Sequence, residues 1–202
     1  MLKKVRQALL QKREHPYPSF EETSLYPEDE ESIDIRFAHQ FTAVAGQFVY
    51  CEDELQLIEN LVLLAEKEKL RKMYAWEPHI QELLARYDFP VYVTDQDFTD
   101  AEAGITACEA LVARSGSILV SNGNAAGRRL GIYPHIHIVI AFTSQLVWDI
   151  KDGLALVTQR YGDRLPSMIN LITGPSRTAD IEKTLVMGAH GPKSLYLFLL
   201  EG

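Results

Sequence analysis

At 202 residues the chain has the length of one domain with a small appendage, enough to bury a sizeable core. Its 47% hydrophobic and 24% charged residues are ordinary for a globular protein, and a net charge of −8 with no long basic stripe argues against nucleic acid. Cys51 and Cys108 stand alone, with no CxxC and no secretory signal, and no apolar run reaches membrane-spanning length. A cytoplasmic protein without membrane contact is expected.

In chain order, Leu2, Val5, Ala8 and Leu9 recur at helical spacing and predict an amphipathic helix. His15-Pro16-Tyr17-Pro18 ends it, and the acidic stretch Glu21 to Glu31 follows. Residues 1–31 therefore read as a helix and acidic arm, packing on the chain's own body or on a partner, with a homo-oligomer as one outcome. The body, residues 32–202, opens with Ile33, Phe37, Phe41 and Val44 on one helical face and Gly46 at the stop.

Gln47 to Cys51 reads as a strand, followed by a helix with acids at its start, lysines at its end and Leu57, Leu61 and Leu64 buried. Lys72 to Trp76 predicts a strand, Pro78 to Tyr87 a helix and Val91 to Val93 another strand. Such alternation implies βαβ units around a mixed, mostly parallel sheet with flanking helices, an α/β fold. Glu109 to Val120 reads as two strands bent at Ser115-Gly116, and Ile136 to Phe142 as a buried strand after a turn-rich loop, Ser121 to Gly131. Asp149 caps a predicted helix with Ile150, Leu154, Val157 and Tyr161 inward and Gly162 at its end. Leu195 to Leu200 is the last strand.

Met168 to Pro192 carries the most distinctive pattern. An apolar run, Met168 to Ile172, has the character of a strand covered on both faces. After Gly174-Pro175, residues Ser176, Thr178, Asp180 and Glu182 precede a helical pattern that breaks at Gly188. Read as strand, turn and helix, this unit presents backbone N–H groups and Arg177 to an anion. The two acids work against a bare phosphate there. Ser176 and Thr178 equally serve as plain helix caps.

Elsewhere, His135 and His137 share a strand face and, with His190 in a Gly-flanked loop beside Gly191, line a site or simply bond the backbone. Three imidazoles suit a metal, but no companion carboxylate or thiol has ligand spacing, and no metal is expected. Thr106 and Glu109 precede a strand, where the carboxylate serves as base or nucleophile or is merely solvated. Arg128 and Arg129 reach an anion or solvate their loop. The catalytic candidates are Glu109, Asp180, Glu182 and His190. The ligand-binding candidates are Thr106, Ser115, Gly116, Arg128, His135, His137, Gly174, Ser176, Arg177, Thr178, His190 and Gly191.

GPSRTADIEKTLVMGAHGP, Gly174 to Pro192, resembles the C-terminal signature of the LUD domain family, whose namesakes are lactate utilisation proteins. GIT at Gly104 to Thr106, SGSI at Ser115 to Ile118, the arginine-bearing loop and Pro134-x-His fall in the family's order. The resemblance implies a fold similar to glucosamine-phosphate isomerase, ribose-phosphate isomerase and CoA-transferases. It also implies a part in oxidising L-lactate to pyruvate, a small carboxylate or other anionic ligand, and separate iron–sulfur partner proteins. Two cysteines hold no such cluster in this chain, so no cofactor is expected in it. The alternatives are a free-standing enzyme acting on a sugar phosphate or acyl-CoA, or a ligand-binding regulator without chemistry. The chain departs from the family at Arg114, where members often carry an acid.

Overall fold

The computed structural model describes residues 31–181 and 184–202, together with residues 3, 4, 6 and 10. The chain divides into two units, residues 1–30 and 31–202. The acidic arm apart from Glu31 lies outside the described residues, as does most of the expected N-terminal helix.

The larger unit begins with α1, Ile33–Ala43, whose Phe37 and Phe41 are fully buried and stacked with ring centroids 5.5 Å apart. The left-handed residue that ends it is Ala45 at φ 67°, one position before the expected Gly46. Strand β1, Gln47–Cys51, leads into α2, Glu54–Glu68. Asp53 caps that helix by accepting from the Gln56 N–H at 2.8 Å, and Lys69 terminates it at φ 57°. Leu57, Ile58, Leu61 and Leu64 form its buried stripe. Strand β2, Met73–Ala75, and α3, Pro78–Ala85, follow, with Pro78 at a first-turn position where its missing N–H costs nothing. The strand expected at Val91 to Val93 is reduced to one bridge, Tyr74 to Tyr92.

Next come β3, Ala103–Thr106, β4, Ala110–Val112, β5, Ser117–Ser121, β6, Ile136–Phe142, and β7, Leu146–Val147. Helix α4, Ile150–Tyr161, follows Asp149 and ends at Gly162. Its buried residues are Gly153 and Val157, whereas Ile150 and Leu154 are exposed. The inner stripe is thus narrower than predicted, because Gly153 brings the helix close to Leu119, Ala110 and Val147. Strands β8, Ile169–Ile172, β9, Arg177–Ile181, β10, Thr184–Met187, and β11, Ser194–Leu200, complete the chain.

Five strands form one parallel sheet in the order β1-β11-β6-β3-β2. The strand-rich middle forms a second sheet, β7-β4-β5-β8, with β5 antiparallel to both neighbours. The two-residue period of the central strands builds two cores. Ile136, Ile138, Ile140, Tyr196, Phe198 and Leu200 pack with α2 and α3, while Val139, Ala141, Leu195, Leu197 and Leu199 pack with α1 and the second sheet. His137 belongs to the second set by parity, and so does Thr106 on β3.

The segment after β8 differs from the strand, turn and helix expected. Arg177–Ile181 and Thr184–Met187 form a two-stranded antiparallel ribbon, β9 with β10. The Ser176 N–H donates to Pro192 O, and the Gly188 N–H donates to Ser176 O, both at 2.9 Å. Those bonds use Ser176 to close the ribbon's base, so neither it nor Thr178 caps a helix. Thr178, Ile181, Thr184 and Val186 are β-branched and favour a pleated ribbon over a helix. Among the described residues strand β8 pairs only with β5 and is half-buried, an edge strand and not one covered on both faces.

Candidate functional site

Where the apolar filling between the two sheets runs out, a cavity of about 360 Å³ remains. Its walls come from the ends of β2 and β3, the start of β6, strands β5 and β8, the loop 122–135 and both flanks of the ribbon. The loop is held over β2 by Arg129, which pairs with Asp95 at 3.2 Å and stacks on Trp76 with its guanidinium 4.5 Å from the ring centre. Gly104 lets the loop approach β3, since any Cβ there would sit 2.4 Å from the Leu130 carbonyl oxygen.

Two buried polar groups face the cavity without a complete set of partners. His137 is 1% exposed; its Nε2 lies 2.8 Å from Thr106 Oγ1, and its Nδ1 has no hydrogen-bond partner. Burial lowers its pKa to about 4, so the ring is neutral near pH 7. Glu77, the residue before α3, is 2% exposed and neither carboxyl oxygen makes a hydrogen bond. Burial pushes its pKa up to about 7, and the weaker opposing pull of nearby backbone groups, among them Ala107 and Ala126, does not offset it. Unsatisfied polar atoms at such depth are rare in folded proteins and call for a ligand or water.

Of the residues selected from the sequence, Thr106, Arg128, His137, Gly174, Ser176, His190 and Gly191 line this cavity. Arg128 is the only lysine or arginine among the described lining residues, and it also donates to Ser167 at 3.2 Å. Ser121 and Asn124 line the wall as well. The others lie elsewhere. His135 is exposed before β6, and its carbonyl accepts from the N–H groups of Lys193 and Ser194. Ser115 accepts from the Ser117 hydroxyl at 2.8 Å, and Gly116 turns at φ 57° directly against the α1 backbone.

Arg177 donates to the Val44 carbonyl at 2.6 Å and so ties the ribbon to the end of α1. With no helix start at this point, the anion cradle of helix N–H groups expected there does not form. Thr178 lies in β9, opposite Val186. Asp180 is also in β9, and Glu182 lies outside the described residues.

Glu109 sits off the cavity in a closed network. Its carboxylate accepts from Ser121 Oγ at 2.6 Å, Arg160 at 2.5 Å and Tyr161 Oη at 2.8 Å. Arg114 pairs with Asp149 at 3.1 Å, beside the start of α4 and away from the cavity. Its charge reversal therefore touches the scaffold. Glu77 had no sequence signal beyond an acid preceding Pro at a helix start, a pattern that usually marks an exposed cap. Among the described residues no three His, Cys, Asp or Glu side chains converge on a metal-sized site, and no helix is long and apolar enough to cross a membrane.

A profile of the LUD domain matches residues 43–200, most of the larger unit. The chain belongs to the LUD domain family. This LUD domain is 38% identical over 104 residues to a lactate utilization protein C from Geobacillus sp. (strain WCH70), covering 50% of this chain and 43% of that protein. It is 40% identical over 99 residues to the namesake from Shouchella clausii (strain KSM-K16), covering 48% and 43%. The matched stretch thus spans less than half of each relative. A crystal structure of a DUF162 family protein from Deinococcus radiodurans superposes with a TM-score of 0.63 at 17% identity, covering 86% of this chain and 99% of that one. That likeness establishes the shared mixed α/β fold.

Proposed function

We propose that this LUD domain serves L-lactate utilisation by binding a small carboxylate in the inter-sheet cavity, alongside separate iron–sulfur proteins that carry the electrons. The observation behind this reading is a half-open, mainly apolar cavity walled in part by the family signature segment, into which two buried residues, Glu77 and His137, bring polar atoms without partners. Arg128 at the wall supplies a positive charge for an anion, and Ser176 and Thr106 supply hydroxyls. The relatives' names give the metabolic context. Both cysteines are buried and fewer than the four thiolates of a common cluster, which favours a reading in which separate proteins carry the electrons.

The test is calorimetric titration of the purified chain with L-lactate and with pyruvate from about pH 6 to about pH 8. Saturable binding of either, weakened by Arg128→Ala, supports the reading. Heat no greater than dilution for both compounds throughout that range rejects it.

A second reading keeps the cavity but enlarges the substrate. About 360 Å³ lies within the range of pockets for whole metabolites and exceeds what a three-carbon acid fills. A sugar phosphate or the acyl end of acyl-CoA fits that space. Competition of L-lactate binding by inorganic phosphate at millimolar level distinguishes this case.

A further inference from the structure

We infer that Glu77 is the residue that recognises the ligand, holding a small monocarboxylate as a carboxyl–carboxylate pair with one proton between the two groups. The choice of probe rests on the reading above; the role of Glu77 rests on the cavity alone.

The geometry leaves few other uses for this side chain. Glu77 is 2% exposed, borders the cavity, and neither oxygen has a hydrogen-bond partner. A buried carboxylate ordinarily survives by pairing with a cation or with several N–H donors. Here the charged or titratable residues that share the cavity are His137 on β6, His190 after the ribbon and Arg128 in the loop. None of them bonds Glu77, and the backbone N–H groups of Trp76, Glu77, Ala107 and Ala126 pull on its carboxyl without closing a hydrogen bond to either oxygen. By contrast Glu109, equally deep, is fully tied up by Ser121, Arg160 and Tyr161. Of the two buried acids among the described residues, Glu109 is thus satisfied by the scaffold and Glu77 is left open towards a cavity.

A neutral carboxyl has one O–H donor and a carbonyl acceptor. A ligand carboxylate accepts from that O–H, and two carboxylates held so close cannot both remain ionised. The only bond made is O–H, and the proton comes from solvent whenever Glu77 is ionised in the free protein. For a 2-hydroxy acid, the ligand hydroxyl then meets His137 Nδ1, the other atom without a partner. Burial supports the scheme, because the free carboxyl titrates at about 7 while His137, titrating at about 4, stays neutral across the same window. Affinity is accordingly flat below the Glu77 titration and falls about tenfold per pH unit above it, with uptake approaching one proton per ligand.

The experiment uses the full chain and three probes, L-lactate, pyruvate and acetate. Calorimetry in buffers of differing ionisation enthalpy measures protons taken up at about pH 8. Proton uptake near one in the wild type, with Glu77→Gln binding independently of pH and without uptake, is the expected result. A melt of the variant confirms that it folds, and His190→Gln, whatever its affinity, retains the wild-type pH slope. Binding of any probe without proton uptake overturns the role of Glu77 and leaves the lactate reading standing. Binding of acetate alone with uptake supports Glu77 and overturns the lactate reading. No binding of any of the three overturns both.

Discussion

Thr106 Oγ1 lies 2.8 Å from His137 Nε2 across two parallel strands, and this contact orients the imidazole while leaving Nδ1 open. The two residues are not opposite one another in the ladder, since Thr106 pairs with Val139 and Gly104 with His137. They meet diagonally on the face turned to the second sheet. Thr106→Val removes the hydroxyl without changing the shape. The expected loss is about 1–2 kcal/mol of stability, from one buried ring nitrogen left without its partner. Ligand affinity falls as well, because the ring loses its fixed orientation. Chemical denaturation and calorimetric titration of the same variant check the two effects.

Glu77→Gln separates stability from pH in a defined direction. The folded-state pKa is about 7, above the ordinary value of 4.5. Below the unfolded value both states are protonated and Glu77 costs nothing. As pH rises from there to about 7, only the unfolded state releases its proton, so stability declines, and the loss is complete above that pH. The difference amounts to about 3 kcal/mol. Glu77→Gln is therefore expected to match wild type near pH 4 and to exceed it by roughly that amount near pH 8. Urea melts at the two pH values measure it. Burial of neutral His137 works in the opposite sense as pH falls below its ordinary 6.5, and the comparison of two proteins cancels it.

Glu109→Ala is expected to act on folding. It leaves Arg160 without its partner and strands the hydroxyls of Ser121 and Tyr161. Arg160 is about half exposed and rehydrates easily, so the cost comes mainly from the hydroxyls and the void, about 2–3 kcal/mol. A lowered melting temperature with ligand affinity per folded molecule unchanged is the anticipated pattern. A stable but non-binding Glu109→Gln would instead give this carboxylate a direct part in the site.

Arg177→Ala tests the ribbon's tether. Arg177 is exposed and its one described bond goes to the Val44 carbonyl. Its loss is worth no more than about 1 kcal/mol, and affinity for a small anion is expected to stay within twofold of wild type. Titration with L-lactate decides the matter. A large drop in affinity returns Arg177 to the binding site.

Gly174→Ala is expected to be more damaging than its small size suggests. Gly174 has φ 81°, and an added Cβ would lie 2.3 Å from the Val44 carbonyl oxygen. Positive φ and a clash with backbone act together, costing about 2 kcal/mol or more. Because Gly174 also lines the cavity, the variant should lose both stability and binding, read from a melt and a titration.

Most of the elements were legible in the chain because periodicity and caps are local signals. The leucine stripe of α2 with Asp53 before it, the apolar runs of β6 and β11, and the Ser115-Gly116 bend between β4 and β5 each announce themselves within a dozen residues. The ribbon of β9 and β10 is hidden in the sequence for an equally physical reason. Its apolar residues fit a helical spacing, while the bonds from Ser176 to Pro192 and Gly188 that hold it as a ribbon are not local in sequence. Ser115, Gly116, His135, Arg177 and Thr178 carry site-like chemistry but are spent on the scaffold or the surface.

The Gly174 to Pro192 signature, which carries the family resemblance, walls the cavity through Gly174, Ser176, His190 and Gly191. By itself the sequence determined the α/β class, the succession of most strands and helices, and the family, since each depends on residue order along short stretches. Tertiary structure decided which acids are satisfied and which are not. Glu77 and Glu109 read alike as letters, but Arg160, Tyr161 and Ser121 converge on one, while the other is buried with only the weak pull of backbone groups such as Ala107 and Ala126 and no closed hydrogen bond. Burial and partnership depend on chain segments far apart in sequence, so only the folded chain separates a carboxylate that holds the scaffold from one that opens to a ligand.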